Sequence, residues 1–291
     1  MGRLGRLARL LIAAAVLAVL LVLLLLAGIY VFGLAHPVCN HSPAPLSKQP
    51  LPEEHWIQTN ERRSLHIWYY PPRNGAVIVA LGGWGGSLGD TLPPVGFLLE
   101  QGYGVVQVDQ RGCSQPPAAV TLGAKEEQDT EAVIEFLESQ SDVKTIGAFG
   151  FSMGGVTAIR AAARNPEIAA VVAEGGYYNL GDDFVEKGSR LPLTERTFLY
   201  TVAGIYWLYH RVNPWQVSPI DDLPEISPRP VFLIYGENEV ASGHALEQYQ
   251  AASDPKKLWI VPGGAHGSNA EVAPAEYQAA ILDFFNQNLL P

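Results

Sequence analysis

A serine flanked by glycines has the clearest chemical meaning in this chain. Residues 150–155 read Gly-Phe-Ser-Met-Gly-Gly, which contains the pattern Gly-x-Ser-x-Gly centred on Ser152. The pattern places a serine at a sharp corner between a strand and a helix, where its hydroxyl group is accessible and can attack a carbonyl carbon. Side chains at residues 150 and 154 would collide with the neighbouring strand and helix. Ser152 is therefore the candidate nucleophile.

A serine nucleophile needs a general base, and His266 is the best placed candidate. It lies in residues 263–267, Gly-Gly-Ala-His-Gly, shortly after the apolar run 258–261. A histidine between glycines in a late loop can reach over the serine and take its proton. The other six histidines fall in the predicted linker, strands and helices. A surface histidine without a catalytic role is the alternative interpretation of His266.

A carboxylate must orient the imidazole and stabilise its protonated form. The apolar run 230–235 ends at a glycine, and Glu239 follows three residues after it, so we expect Glu239 to be the acid. Glu237 in the same loop is the close alternative, and Glu174, at the end of another predicted strand, is a third candidate. The chain order serine, acid, histidine differs from the orders in chymotrypsin and subtilisin and is typical of another hydrolase architecture.

Two backbone N–H groups are placed to stabilise the oxyanion that forms during attack. Met153 follows the serine at a helix start, where N–H groups have no partner within the helix. Residues 82–87, Gly-Gly-Trp-Gly-Gly-Ser, follow the apolar run 76–81, and we expect the N–H of Trp84 to be the second donor. An ordinary glycine turn is the alternative for this loop.

Strands and helices alternate around these residues. Continuous apolar runs, typical of strands buried on both faces, occur at residues 76–81, 104–109, 145–149, 169–174, 230–235 and 258–261. Their alternation with helical patterns predicts an α/β fold with a doubly wound, mainly parallel sheet. The candidate residues follow strands at their carboxyl ends, where such sheets bind ligands. Arg111, in another of these loops, is expected to be structural.

Two segments do not follow this alternation. Residues 177–229 are rich in aromatic residues and predict a short helical cap, which lines an acyl pocket or faces a membrane. Residues 10–35 carry no charge and would span about 39 Å as a helix, more than the hydrocarbon core of a bilayer. We interpret them as an uncleaved transmembrane signal anchor, and a cleaved signal peptide is the alternative.

The charges around the apolar segment predict its orientation. Arg3, Arg6 and Arg9 make residues 1–9 a basic segment that stays cytoplasmic, so the remainder lies on the outer side of the cell membrane. Residues 36–53 contain five prolines and predict an extended linker to a folded domain of residues 54–291. Cys39 in this linker and Cys113 in a loop are expected to be free thiols.

Composition excludes several kinds of partner. Three of the 19 basic residues precede residue 36, so the remaining 16 are balanced against all 29 acids and the domain carries a net charge of −13. Such an acidic domain is a poor candidate for binding nucleic acid. No phosphate loop, dinucleotide fingerprint or Cys/His zinc cluster is found in the sequence, so we expect neither a cofactor nor a metal.

With these motifs identified, residues 55–290 resemble the α/β-hydrolase superfamily, and most closely its membrane-anchored bacterial esterase/peptidase-like branch. The resemblance rests on residues 82–87, 109–112, 150–155 and 263–267. Two positions differ from the usual pattern of the superfamily. Gly82-Gly83 replaces the common His-Gly, and Glu239 stands where the acid is usually Asp.

The resemblance implies hydrolysis of an ester, thioester or amide through an acyl-enzyme, by a carboxylesterase-like enzyme rather than a peptidase. A small-molecule or lipid-like acyl compound is the expected substrate. Two alternatives remain open. One is an acyltransferase that uses the same site with an alcohol acceptor. The other is a binding protein with a hydrolase fold and a broken triad.

Overall fold

The computed structural model describes residues 3–39, 51–90 and 92–291, and it shows one sheet of eight strands. The order across the sheet is β1-β2-β4-β3-β5-β6-β7-β8, and only the pairs made by β2 are antiparallel. The strands are β1 (Glu53–Gln58), β2 (Ser64–Tyr70), β3 (Ala76–Leu81), β4 (Gly104–Val108), β5 (Thr145–Phe151), β6 (Ile168–Glu174), β7 (Val231–Gly236) and β8 (Lys256–Val261). The predicted mainly parallel sheet is confirmed.

Helices cover both faces of this sheet. The helices of the described residues are α1 (Arg3–Ala35), α2 (Leu92–Val95), α3 (Phe97–Glu100), α4 (Glu126–Glu138), α5 (Met153–Arg164), α6 (Leu180–Phe184), α7 (Leu193–His210), α8 (Pro219–Asp222), α9 (Ala245–Ala251), α10 (Asn269–Val272) and α11 (Pro274–Leu289). Short 3₁₀ turns occur at Pro214–Gln216, Leu223–Ile226 and Glu237–Glu239.

Alternate side chains of the central strands enter two different cores. In β3, Val77 and Val79 pack into a core that contains helices α4 and α5, whereas Ile78 packs on the opposite face against α11. Every residue of β3 is buried, because helices lie on both sides of the strand. The predicted doubly wound arrangement is therefore confirmed.

The insertion between β6 and β7 is helical, as the aromatic segment predicted. It contains α6, α7 and α8, and α7 is its longest element with 18 residues. Part of α7 packs into a third core, which also includes Met153 and Val156 of helix α5. The insertion therefore contacts the helix that begins beside the candidate nucleophile.

The predicted N-terminal helix is present as α1. Its segment Arg6–Ala35 is long and apolar enough to cross a membrane, as a membrane anchor or a signal sequence would be. Most of its side chains are exposed, but Ala27, Val31 and Ala35 are buried in the third core together with α7. The end of α1 is thus packed against the folded domain.

Residues 36–39 correct part of the predicted linker. His36 Nε2 lies 2.9 Å from the Tyr209 hydroxyl, and the N–H of Val120 donates to the Ala35 carbonyl at 2.8 Å. This short segment is packed against the domain and is not a free, extended spacer. Residues 40–50, the centre of the predicted linker, lie outside the described residues.

The expectation of two free thiols is also wrong, because Cys39 and Cys113 form a disulfide. The contacts of residues 35–37 bring the chain back to the loop after β4, so that the two Cα atoms lie 5.5 Å apart. The two cysteines are 74 residues apart in the sequence, so no local pattern indicated that they are close in space.

Replacing both cysteines with serine should lower the free energy of unfolding by about 2–4 kcal/mol, because the disulfide restricts a long loop in the unfolded chain. Denaturant titration of the detergent-solubilised protein measures the change. Thiol titration of the unreduced, denatured wild type is the companion measurement, and two reactive thiols there would contradict the disulfide.

The loop after β4 is structural, as predicted. Arg111 is buried, and its guanidinium donates to the Asp129 carboxylate at 2.8 and 2.9 Å and to the Lys125 carbonyl at 2.9 Å. This bidentate pair ties the loop to helix α4.

Candidate active site

Ser152 lies at the corner between β5 and α5. Its φ of 55° and ψ of −120° place it in a conformation that non-glycine residues rarely adopt. The backbone N–H of Ser152 donates to the Glu174 carbonyl at 2.7 Å, which holds the corner against β6. Strain of this kind is found at functional sites, where surrounding contacts stabilise it.

His266, in the loop after β8, lies beside this serine. Its Nε2 atom is 3.0 Å from Ser152 Oγ, and its Nδ1 atom is 2.7 Å from Glu239 Oε2. One face of the imidazole packs near the Phe151 ring, with ring centroids 5.0 Å apart. The three predicted residues therefore form one continuous set of hydrogen bonds from hydroxyl to carboxylate.

Glu239 lies against the imidazole of His266, and Glu237 does not. Glu239 is buried at the end of the Glu237–Glu239 turn, and its second oxygen accepts from the Gly236 N–H at 2.8 Å. Glu237 is exposed instead and accepts from the Gly263 N–H at 2.8 Å. Gly175 makes room for the pair, since a Cβ there would lie 3.0 Å from His266 Nδ1.

The electrostatics of the pair favour a charged carboxylate beside the imidazole. Burial alone would raise the pKa of Glu239, but hydrogen bonds from His266 and the Gly236 N–H outweigh it and lower that pKa. The hydrogen bond to Glu239 raises the pKa of His266 in turn, against the effect of burial. An imidazole in this setting can accept a proton from Ser152, and the Glu239 carboxylate then stabilises the imidazolium that forms.

Two residues of the site were missed from the sequence. The Asn269 side-chain N–H₂ donates to Glu174 at 2.9 Å and reaches Glu239 at 3.4 Å. The Tyr277 hydroxyl donates to the other oxygen of Glu174 at 2.6 Å. Glu174 is buried, which raises its pKa, and it lies behind the acid rather than against the imidazole. Asn269 is a polar residue just after His266, and this position in the sequence could have pointed to it. Tyr277 could not be recognised, because it belongs to the apolar stripe of a helix.

The two expected oxyanion donors belong to the start of α5 and to the loop after β3. Met153 is the first residue of α5, so its N–H has no partner within the helix. The loop of Trp84 packs against the corner, since a Cβ at Gly83 would lie 3.4 Å from Ser152 Cβ. Donation from the N–H groups of Trp84 and Met153 stays a prediction. The Trp84 indole has a separate role, because it donates to the Leu34 carbonyl of α1 at 2.8 Å.

A cavity of about 470 Å³ adjoins this corner. Glycine-rich backbone and aromatic rings form much of its wall, and Glu174 and Tyr277 also contribute. It is lined by Leu81, Gly82, Gly83, Trp84, Gly85, Gly86, Asp90, Pro94, Phe149, Phe151, Glu174, Gly267, Ala270, Glu271 and Tyr277. A cavity of this size accommodates a small acyl group. In the described parts of the chain, no group of three or more His, Cys, Asp or Glu residues could hold a metal ion.

The activity of this site should rise with pH, with a midpoint above 6.5. Only the neutral imidazole can accept the proton of Ser152, and Glu239 raises the pKa of His266 above its ordinary value of 6.5. The protonated, inactive form therefore persists to a higher pH than for a free histidine. Measuring kcat/KM for a short-chain ester between about pH 5 and about pH 9 tests this. A midpoint below 6.5 would mean that Glu239 does not act on His266 in this way.

Comparisons with known proteins identify the family. The protein resembles the uncharacterised protein YfhR of Escherichia coli (strain K12), with 24% identity over 245 residues, or 78% of each chain. A Pyrococcus furiosus esterase has a similar structure, with a TM-score of 0.65, 24% identity and coverage of 87% of this chain and 98% of the esterase. A hypothetical protein from Pseudomonas aeruginosa also has a TM-score of 0.65, with 21% identity and coverage of 86% and 97%.

The structural neighbours confirm the α/β-hydrolase fold. The family model described as X-Pro dipeptidyl-peptidase (S15 family) matches residues 38–203, which is more than half of the chain. The matched segment includes the loop of Trp84 and the corner of Ser152. The chain thus belongs to the X-Pro dipeptidyl-peptidase (S15) family of α/β hydrolases.

Proposed function

We propose that this protein is a serine hydrolase that cleaves a carboxylic ester, thioester or amide through an acyl-enzyme. The observation that carries the proposal is the continuous set of hydrogen bonds from Ser152 Oγ through His266 to Glu239, with distances of 3.0 and 2.7 Å. A binding protein that had lost catalysis would have no need to keep this geometry. Membership of a hydrolase family supports the same chemistry.

The mechanism proceeds in two halves. His266 Nε2 takes the proton of Ser152 as Oγ attacks the carbonyl carbon, while Glu239 stabilises the imidazolium. The N–H groups of Trp84 and Met153 stabilise the oxyanion, and each such donor contributes about 3–4 kcal/mol to transition-state stability. The imidazolium then gives its proton to the leaving group. Water, activated by the same histidine, releases the acyl group from Ser152.

We infer an ester-type substrate rather than a peptide. The adjoining cavity of about 470 Å³ is built mainly from glycines and aromatic rings, which suits an acyl chain. The likeness to a Pyrococcus furiosus esterase supports this choice, whereas the family description favours a dipeptidyl amide. Parallel assays with short-chain esters and an X-Pro dipeptide amide decide between the two.

We also propose that the domain is tethered to the cell membrane by α1, with its N-terminus cytoplasmic and the hydrolase domain on the outer side. The length and hydropathy of Arg6–Ala35 support the tether, and the arginines near its start support the orientation. The disulfide between Cys39 and Cys113 is consistent with an oxidising compartment outside the cytoplasm. The packing of the end of α1 into the domain favours a helix that is retained.

A fluorophosphonate probe tests the serine chemistry. It should label the folded protein at Ser152, and Ser152→Ala should abolish both labelling and ester hydrolysis. The exposed Ser139, at the end of α4, offers a matched control, since Ser139→Ala should change neither. Equal labelling of Ser152→Ala and wild type would refute the proposal. Adding alcohol acceptors to the assay separates a hydrolase from an acyltransferase, because a transferase would yield mainly the new ester.

A further inference from the structure

The loop after β3, residues 82–87, contacts both the serine corner and the end of helix α1. A Cβ at Gly83 would lie 3.4 Å from Ser152 Cβ, so the start of the loop packs against the candidate nucleophile. The next residue contacts a different element, because the Trp84 indole donates to the Leu34 carbonyl at 2.8 Å. The loop therefore connects the serine corner to a helix that precedes the hydrolase domain.

The segment that follows α1 packs on the same loop. A Cβ at Gly85 would lie 3.5 Å from Pro37 Cβ, which is ordinary van der Waals contact. The sulfur of Cys113 lies 3.6 Å from the Gly85 carbonyl oxygen, and this cysteine is bonded to Cys39. Both the chain after α1 and its disulfide thus lie beside Gly85, the neighbour of Trp84.

The end of α1 is itself fixed to the domain, so it can support another loop. The N–H of Val120 donates to the Ala35 carbonyl at 2.8 Å. A Cβ at Gly112 would lie 2.9 Å from Pro37 Cγ, so the two chains approach closely there. The disulfide to Cys113 adds a covalent link. All three contacts come from the chain between β4 and α4, which Arg111 ties to α4.

The composition of residues 82–87 makes such support important. Four of these six residues are glycines, which have more conformational freedom to lose than any other residue. The Gln110 side chain donates to the Gly82 carbonyl and holds the start of the loop. Trp84 is the one residue of the loop with a large side chain, and its indole is bonded to Leu34. The hydrogen bond to α1 therefore restrains the middle of the loop.

From these contacts we propose that the end of α1 positions the loop that stabilises the oxyanion. The Leu34 carbonyl and residues 36–39 hold residues 82–87 so that the backbone N–H of Trp84 faces the developing charge. The proposal rests on the proposed function, in which this N–H is a donor. Such donors are effective because they are held in place before the reaction, and a displacement of about 1 Å can lower the rate by about 10²-fold. In this proposal α1 supports the active site in addition to its proposed role as a membrane anchor.

Trp84→Phe tests the hydrogen bond to α1 in the detergent-solubilised full chain. The variant keeps an aromatic ring and the backbone N–H, but it cannot donate to the Leu34 carbonyl. We expect kcat for a soluble short-chain ester to fall about 10- to 10²-fold with KM within about twofold, because the donor acts mainly in the transition state. In hydrogen–deuterium exchange, the amides of residues 82–87 should exchange at least about tenfold faster than in wild type.

Trp56→Phe is the matched control for this substitution. Trp56 lies in β1 and is 52% exposed, whereas Trp84 is 47% exposed, so the two changes remove the same atoms from similarly accessible side chains. Neither kcat nor the exchange of residues 82–87 should change in Trp56→Phe. A thermal melt of each variant shows whether the fold is retained.

Replacing Cys39 and Cys113 with serine tests the second part of the support. At a temperature where the melt shows a folded protein, kcat should again fall about 10- to 10²-fold. If the indole and the disulfide hold one loop together, adding Trp84→Phe should lower kcat by less than about threefold more, whereas independent effects would multiply. Trp84→Phe leaves the disulfide intact, so the proposal stays testable if the serine variant does not fold.

Several results would overturn the proposal. In Trp84→Phe these are a kcat within about twofold of wild type, a loss confined to KM, or a lower kcat without faster exchange of residues 82–87. In the combined variant, a further full loss of 10- to 10²-fold would show that α1 and the disulfide do not act as one support. Failure of the proposed function looks different. Wild type would then neither hydrolyse esters nor react with the fluorophosphonate, and the proposal for α1 would fail with it.

Discussion

Replacement of Glu239 by glutamine should lower kcat by about 10³- to 10⁴-fold. This is the largest effect on kcat that we expect from a substitution that keeps the shape of the side chain. The side chain keeps its shape, but it loses the charge that stabilises the imidazolium. It can also donate to His266 Nδ1, which favours the wrong tautomer. Steady-state hydrolysis of a soluble short-chain ester measures the loss, and a thermal melt shows whether the fold is retained.

Glu237→Gln is the matched control for this experiment. Glu237 lies two residues away and accepts a hydrogen bond from the Gly263 N–H at 2.8 Å, but its carboxylate is exposed. We expect kcat to stay within about twofold of wild type, as for other surface substitutions. A large loss in Glu237→Gln with little change in Glu239→Gln would reverse the assignment of the acid.

Replacement of Gly154 by alanine should prevent folding, the largest effect on stability that we expect. A Cβ at this position would overlap the carbonyl oxygen of Leu81 at the end of β3. This oxygen belongs to the backbone of a central strand and cannot move without disrupting the sheet. The cost should exceed about 4 kcal/mol, a large fraction of the stability of a typical domain. Expression followed by size-exclusion chromatography should show aggregated or degraded protein.

Gly204→Ala is the control that separates this overlap from a general effect of glycine replacement. Gly204 lies inside α7, and a Cβ there would meet no atom within 4 Å. Alanine is favoured over glycine inside a helix by about 1 kcal/mol, so this variant should be at least as stable as wild type. A soluble Gly154→Ala protein with a wild-type melting temperature would show that the corner is less tightly packed than the structure indicates.

The candidate nucleophile and the candidate base could be predicted from local patterns. The glycines around Ser152 are required by close packing within a few residues, so the motif and its flanking apolar and helical patterns carried the information. His266 followed from its place after a strand, and the strands themselves were visible as continuous apolar runs. Patterns of this kind can be recognised in a single sequence because they depend on residues that are close along the chain.

The choice between Glu237 and Glu239 could not be made in the same way. Both follow β7, and only the turn at the end of that strand directs one carboxylate inward to the imidazole and the other outward to solvent. Asn269 and Tyr277 were missed for a similar reason. Their partner Glu174 lies about 100 residues earlier, with separations of 95 and 103 residues, and no local pattern records such a contact.

The sequence alone determined the class of fold, the serine and histidine at the ends of two strands, and the apolar helix that precedes the domain. These features depend on the alternation of apolar and polar residues and on steric limits at single turns. Only the tertiary structure decided which carboxylate lies against the imidazole, the disulfide between Cys39 and Cys113, and the packing of α1 against α7. Each of these is a contact between residues that are distant along the chain, and such contacts form only when the whole sheet and its helices are in place.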